Sequence, residues 1–327
     1  MLWSVLFTGG AGQAQSYHFS QFFATPLLTN PANTGFMDGP FRVASNFRSQ
    51  GAPGSVPYFT GYLSADISPF KSTLATGHKA GMGVYIMNDK SLNGGLQTAS
   101  AGLSAAYHVG LDEEGNNSIG VGFQGIYHQR RIDYSKLSFD EQFGSGGYDP
   151  SLPTGESFSN ANGSFFDANA GLVFNALGED GSFFGGVSVY NILKHNDAAL
   201  ADAFKMPTRL TVQAGGQVYI GDYGKIYGSL THMSQGGANE TTFGGAYGLQ
   251  LGERNLKNEI NLGMWYRLQD AVIPYVGYHY EGFHIGLSYD HTVSGLKAGA
   301  QVRNGYELTL SYTGIDKRQL KILVPWY

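Results

Sequence analysis

Apolar and polar residues alternate with a period of two through almost the whole chain, in some fourteen short stretches, and no helix-period segment of comparable length interrupts them. Phe41, Val43, Ser45 and Phe47 alternate with Arg42, Ala44, Asn46 and Arg48; far downstream, Tyr306, Leu308, Leu310 and Tyr312 alternate with Glu307, Thr309, Ser311 and Thr313. A period of two sends successive side chains to opposite faces of a sheet. Repeated many times over segments of about ten residues, it predicts an all-β fold: a transmembrane antiparallel up-and-down β-barrel, apolar toward lipid and polar toward its lumen.

Composition agrees. Charged residues make up 14% of the 327, well below the roughly 25% usual in soluble domains. No run of 18 or more apolar residues exists, which excludes membrane-spanning helices. The absence of cysteine excludes disulfides and thiolate zinc sites, and a net charge of −5 gives no reason to expect a nucleic-acid partner. Residues 1–14 read as a secretory signal peptide: Met1 to Phe7 is apolar, and Gly12-Gln13-Ala14 is a small-x-small cleavage site. The basic n-region is missing, which a truncated or misassigned start explains; the alternative is an N-terminal strand or anchor.

Candidate strands run over 40–50, 57–68, 80–89, 96–109, 118–132, 164–176, 183–193, 208–220, 225–233, 241–251, 258–268, 271–280, 282–291 and 304–313. The barrel domain is therefore 40–313, with about 14 strands. An even count leaves both termini on one side, the periplasmic side of a bacterial outer-membrane barrel. The longest connections, 133–163, 194–207 and 292–303, then all fall on the other side, as external loops should. Charges on the lipid face near the midplane cost about 2–4 kcal/mol each, so Arg42, Arg48, Asp66, Asp167, Arg209, Glu259 and Glu307 are expected to point into the lumen. The segments 225–233 and 271–280 are ambiguous, with Tyr and His on both faces. Strand glycines such as Gly81, Gly83, Gly244 and Gly245 are expected to permit bends or bulges. A soluble β-sandwich is the alternative fold; it needs exposed polar edges.

A search for chemistry yields no catalytic residues, no cofactor and no metal site. Gly81-Met82-Gly83 lacks a third glycine, and with 48 glycines in the chain Gly-x-Gly carries no nucleotide signal. His279, His284 and His291 are close in sequence but read as lumen or interfacial histidines rather than metal ligands. Asp66, Asp167 and Asp290 read as lumen charges paired with arginine, not as catalytic carboxylates. His128, His284 and many serines are present, yet no spacing singles out a hydrolase triad.

Residues 15–39 are too aromatic for a free tail: Tyr17 to Phe23 is followed by Pro26-Leu27-Leu28-Thr29-Asn30-Pro31-Ala32, with an Asn-Pro turn signal. This segment is expected to plug or dock at the periplasmic mouth of the barrel; a simple lead-in to the first strand is the alternative. The tail, 314–327, carries Lys317, Arg318 and Lys321, ends in Val324-Pro325-Trp326-Tyr327, and is expected in the periplasm.

His18-Phe19-Ser20-Gln21-Phe22, with Pro26-Leu27, Asn30-Pro31-Ala32 and Gly35, resembles the N-terminal signature of the PorP/SprF family of Bacteroidetes outer-membrane proteins. Phe41-Arg42 to Asn46-Phe47-Arg48-Ser49-Gln50 resembles its first strand. Asp140-Glu141-Gln142-Phe143 approximates the Asp-Gln-Phe of its long loop. Gly286 to Asp290 and Gly305 to Leu308 resemble its last two strands. The chain departs at its end, where the family often has Cys-Pro-Arg-aromatic, and no role is carried over there. The resemblance implies a non-enzymatic outer-membrane component of type IX protein secretion or the linked gliding machinery. Its implied partners are a large secreted adhesin bearing a type B C-terminal domain, and secretion subunits or periplasmic lipoproteins. It marks His18, Phe19, Ser20, Gln21, Phe22, Asn30, Pro31 and Ala32 as partner-binding residues, and Asp140, Gln142 and Phe143 as part of a long external loop. A passive porin or small-solute transporter, which needs an open lumen, is the competing function.

Overall fold

The structure is a computed structural model that describes residues 18–37, 39–51, 57–69, 78–144, 146–154, 161–193, 206–221, 223–251, 258–293 and 304–315. The expected signal peptide, nearly all of the C-terminal tail, and most of 194–207 and 292–303 lie outside the described residues. The strands are β1 (Phe41–Gly51), β2 (Tyr58–Ile67), β3 (Lys79–Ser91), β4 (Leu96–Gly110), β5 (Asn117–Ile132), β6 (Phe143–Gly144), β7 (Gly147–Tyr148), β8 (Ala161–Leu177), β9 (Gly181–Tyr190), β10 (Arg209–Ile220), β11 (Gly224–Gln235), β12 (Ala238–Gln250), β13 (Asn258–Arg267), β14 (Ala271–Tyr280), β15 (Phe283–Thr292) and β16 (Asn304–Thr313). All but β6 and β7 pair antiparallel with their sequence neighbours, and β1 pairs with β16, giving a closed barrel of 14 strands. Closure leaves no unpaired strand edge, the condition a sheet must meet in hydrocarbon. The expected barrel is what forms, with strand bounds within a few residues. The extra pair, β6–β7, is a small hairpin inside the 133–160 connection.

Alternation has the expected sense. Along β13, Leu262 and Met264 are exposed on the outer face, while Glu259, Asn261, Trp265 and Arg267 are buried inside. Phe41, Val43 and Phe47 face out from β1, and Arg42, Ala44, Asn46 and Arg48 face in. One end of the barrel, the near rim, is where β1 begins and β16 ends; the two longest connections, 133–160 and 191–208, both lie at the opposite, far rim. There Gly236 and Gly237, both at positive φ, make the two-residue turn between β11 and β12, a conformation glycine adopts without strain.

The two ambiguous strands have a physical explanation. Ala271, Ile273 and Tyr275 of β14, with partly buried Tyr227 of β11, line the inner face but do not meet water: they pack on Phe22 and Phe23 of the segment that precedes β1. A lumen wall that touches protein is apolar where it does so, and the two faces then look alike in sequence.

Leu262→Arg is expected to destabilise the barrel by about 2–4 kcal/mol, because it sets a charge on the lipid face midway along β13. The same change at Leu268, in the turn just past β13, should cost only about 0–1 kcal/mol. Urea unfolding in lipid vesicles measures both.

Candidate functional site

The lumen is occupied by residues 18–37, and this segment with its wall is the candidate site. Its sequence breaks any long element into single turns: a 3-10 turn over Phe22–Ala24, one turn of helix, α1, over Pro26–Thr29, and a second 3-10 turn over Pro31–Asn33. Pro26 and Pro31 each open a turn, a position where the missing N–H costs nothing. Asn30 caps the last one, its Oδ1 accepting from Ala32 N at 2.9 Å.

The segment goes deeper than the mouth where sequence reasoning set it. His18 Nε2 lies 3.1 Å from Glu240 Oε2, and Glu240 is the third residue of β12, at the far rim. Gly35 packs against Gly81 near the start of β3, at the near rim. Residues 18–37 thus run the height of the barrel before the chain turns into β1. Glycines aimed inward make this possible, a role beyond the bending expected of them. A Cβ at Gly122 would sit 2.4 Å from the backbone of Pro31 and Ala32, and one at Gly171 would overlap Asn30 Oδ1. Asn30 fills that notch and donates from Nδ2 to the carbonyls of Leu172 (3.0 Å) and Val187 (3.3 Å) on neighbouring strands.

A segment buried this far must find partners for its own backbone. Gln124 Nε2 donates to Leu27 O at 3.1 Å, Ser188 Oγ to Thr29 O at 3.2 Å and Tyr190 Oη to Leu28 O at 2.8 Å. Apolar contacts do the rest. Phe19, Leu27, Tyr62, Tyr85, Met87 and Ile126 form one cluster, and Phe22 and Phe23 join Trp265, Ile273 and Tyr275 in another. Burying each large side chain contributes about 1.5–3 kcal/mol. Trp265 Nε1, buried with them, donates to Ser229 Oγ at 2.7 Å.

Charge concentrates at two levels. Toward the near rim, Arg42 forks onto Asp66 (Nε to Oδ1 3.0 Å, Nη2 to Oδ2 2.7 Å), Asp66 also accepts from Gly35 N at 2.8 Å, and Arg42 donates to Asn33 O at 3.1 Å. Toward the far rim, the Glu307 carboxylate accepts from Ser20 N (2.6 Å), Gln21 N (2.9 Å) and Arg48 Nη1 (2.6 Å). Ser20 Oγ donates to Asp290 at 2.6 Å and accepts from Arg48 and Arg267, both of which also pair with Asp290. Burial, with the Arg267 and Arg48 guanidiniums nearby, pushes the His18 imidazole down to about 3.

The structure buries all seven charged residues picked out in the sequence inside the barrel. It brings four of them, Arg42, Arg48, Asp66 and Glu307, onto the segment. The other three serve the wall: Glu259 pairs with Lys225 at 2.8 Å and accepts from Tyr227 Oη, Arg209 lies over the Tyr190 ring, and Asp167 Oδ1 accepts from Leu193 N at 3.2 Å just past β9. Arg267 and Asp290 complete the far-rim cluster; their inward parity was legible, their contact with Ser20 was not. Phe19, Ser20, Gln21, Phe22, Asn30, Pro31 and Ala32 of the family-like motif are buried against the wall, and His18 reaches Glu240. Asp140 and Gln142 form a 3-10 turn in the far-rim connection; Gln142 is buried, with Nε2 on Leu152 O at 3.3 Å. Phe143 is exposed and pairs with Tyr148 across the hairpin, ring centroids 5.2 Å apart.

Chemistry remains sparse. His279 and His284 face each other across β14 and β15, and His284 Nε2 lies 2.8 Å from Tyr275 Oη. Among the described residues no group of three or more His, Asp or Glu is placed to hold a metal ion. Ser100 Oγ lies 2.7 Å from His128 Nδ1, but Ser100 is buried and the ring rests on Phe165, an arrangement of packing. A cleft between segment and wall is lined by Phe22, Phe23, Phe36, Arg42, Phe184 and Gln213.

A family model described as type IX secretion system membrane protein PorP/SprF matches residues 11–312. No curated protein matches the sequence. Among solved structures, the barrel is similar to the Ralstonia pickettii toluene transporter TbuX (12% identity, 89% of this chain and 94% of that one, TM-score 0.51). It is also similar to the CymD monoaromatic hydrocarbon channel (11% identity, 90% and 94%, TM-score 0.54) and to a Pseudomonas aeruginosa FadL homologue (11%, 89% and 94%, TM-score 0.50). At such identities these likenesses concern the fold alone.

Gly122→Val is expected to push the segment out of its bed, because the clashing atoms are backbone. In planar bilayers the native protein should be silent and the variant should conduct. Silence in a folded variant would show that the segment does not seal the lumen.

Proposed function

The chain belongs to the PorP/SprF family of type IX secretion system membrane proteins, an outer-membrane component of that system, and from this premise we propose that it is a non-enzymatic, sealed barrel that works by binding other proteins. Its far-rim loops grip a large secreted adhesin bearing a type B C-terminal domain and help to export or anchor it. Its near rim faces the periplasm and meets secretion subunits or lipoproteins there. The observation that carries this reading is the filled lumen. A barrel whose interior is taken up by its own segment, held by Glu307, Asp66 and Asn30, offers partners its rims and not a passage. The motif residues between His18 and Ala32 support the fold in this reading, and contact with clients falls to the loops.

A passive porin or transporter is the competing reading, and two of the solved barrels named above, TbuX and CymD, are described as a transporter and a channel. The occupied lumen weighs against it.

The exposed Phe143 and Tyr148 pair of the β6–β7 hairpin is the natural anchor for a client, since exposed aromatic residues dominate binding energy at protein interfaces. Replacing both with Ala is expected to reduce co-purification of a large exported polypeptide from native membranes by roughly tenfold, with the barrel still folded. A deletion strain should lose surface display of that polypeptide. Undiminished export and retention of every large adhesin in that strain would refute the proposal.

A further inference from the structure

Closing the barrel means joining β1 to β16, strands separated by almost the whole chain. The lumen segment is bonded to that junction. Arg48 of β1 and Glu307 of β16 stand directly opposite each other in the seam register, and Ser20 N and Gln21 N both end on the same Glu307 carboxylate. Gln21 Nε2 adds a bond to Glu307 O at 3.2 Å and one to Ser288 Oγ of β15 at 3.1 Å. Ser20 Oγ joins Arg48 of the first strand to Asp290 of the penultimate one. One pair of residues in the segment therefore touches both sides of the seam.

The sequence separations give this an order. At its near-rim end the segment is tied to its immediate followers: Arg42 reaches Asn33 over 9 residues, and Gly35 reaches Asp66 over 31. The bonds of Ser20 and Gln21 to Glu307 span 287 and 286 residues. Short loops close before long ones because their entropic cost is lower. The segment can dock on β1 and β2 while β15 and β16 are still unpaired.

We propose that the N-terminal segment is a template for barrel closure: it docks first on the β1–β2 hairpin and then selects the register in which β16 joins. A slip of one residue turns Glu307 toward lipid and presents Tyr306 or Leu308 to the waiting amides, since side chains alternate along a strand. A slip of two presents Gly305 or Thr309, neither of which carries a carboxylate for two N–H groups and a guanidinium. Among these neighbours only the native register pairs all three donors with charge. The inference rests on contacts within the chain and does not depend on what the barrel binds.

Because the chain has no cysteine, paired cysteine substitutions report strand pairing without background. Phe47→Cys with Leu308→Cys reports the native seam, Phe47→Cys with Leu310→Cys a seam slipped by two, and Val187→Cys with Val212→Cys the β9–β10 pair as control. Cross-linking is followed while the full chain folds from urea into lipid vesicles. Ser20→Pro, which removes one amide donor together with the hydroxyl that joins Arg48 to Asp290, and Glu307→Gln, which removes the charge without changing size, are each expected to slow the native seam relative to the control on the order of tenfold. The slipped pair should appear in both. If Ser20→Pro does not fold, Glu307→Gln alone decides. Seam and control slowing alike, or neither slowing, overturns the proposal.

Discussion

Hydrocarbon leaves a polypeptide backbone no water to bond with, and the rest of this molecule follows from that constraint. Every strand must have two neighbours, so the sheet closes on itself, and the β1–β16 ladder completes the ring. A ring of 14 strands is wider than the barrels of about eight whose own side chains fill the interior. Residues 18–37 occupy the surplus space. They bring further backbone groups into a buried place, and these groups need partners too. Asn30, Gln124, Ser188, Tyr190, Asp66 and Glu307 are answers to one question of hydrogen-bond satisfaction, posed first by lipid and then by the filling itself.

The outer surface was legible in the sequence because a period of two is a local property. Phe41, Val43 and Phe47 against Arg42, Asn46 and Arg48 state their faces without reference to any other strand. The inner surface was half legible. Inward charges such as Asp66 and Glu307 follow from the same alternation, but what they bind does not, because Glu307 meets residues 20 and 21 from the far end of the chain. The depth of the N-terminal segment was hidden for the same reason: its aromatic residues announced packing, and the wall that receives Phe22 and Phe23 is spread over β11 to β14. Gly122 and Gly171 carried a usable signal. A lumen position that gives up its side chain on a strand otherwise lined by Gln124 or Asn169 marks a place where another backbone comes close. The two strands that resisted assignment, 225–233 and 271–280, contribute apolar side chains to the bed of that segment.

The residues that carry the resemblance to the family are thereby given a mechanical meaning. A signature such as His18 to Phe22 invites the reading of an interface. Here Phe19 packs with Tyr62, Phe23 lies 4.9 Å from the Trp265 ring, and Ser20 sits among two guanidiniums and two carboxylates. An interface it is, but one between two parts of the same chain. At the far rim, by contrast, Phe143 and Tyr148 of the β6–β7 hairpin are exposed.

The path of residues 18–37 also gives the molecule a direction. Their C-terminal end leads toward β1 at one rim, where Gly35 packs on Gly81 and the Arg42–Asp66 pair binds Gly35 and Asn33. Their other end reaches Glu240 at the opposite rim. A force applied from the first side only tightens an attachment that is already covalent, whereas traction from the second meets the His18–Glu240 contact first, then the bonds of Ser20 and Gln21, and then each turn in succession. The segment is thus a cord knotted at one end, which yields stepwise to a pull along one axis and resists the reverse.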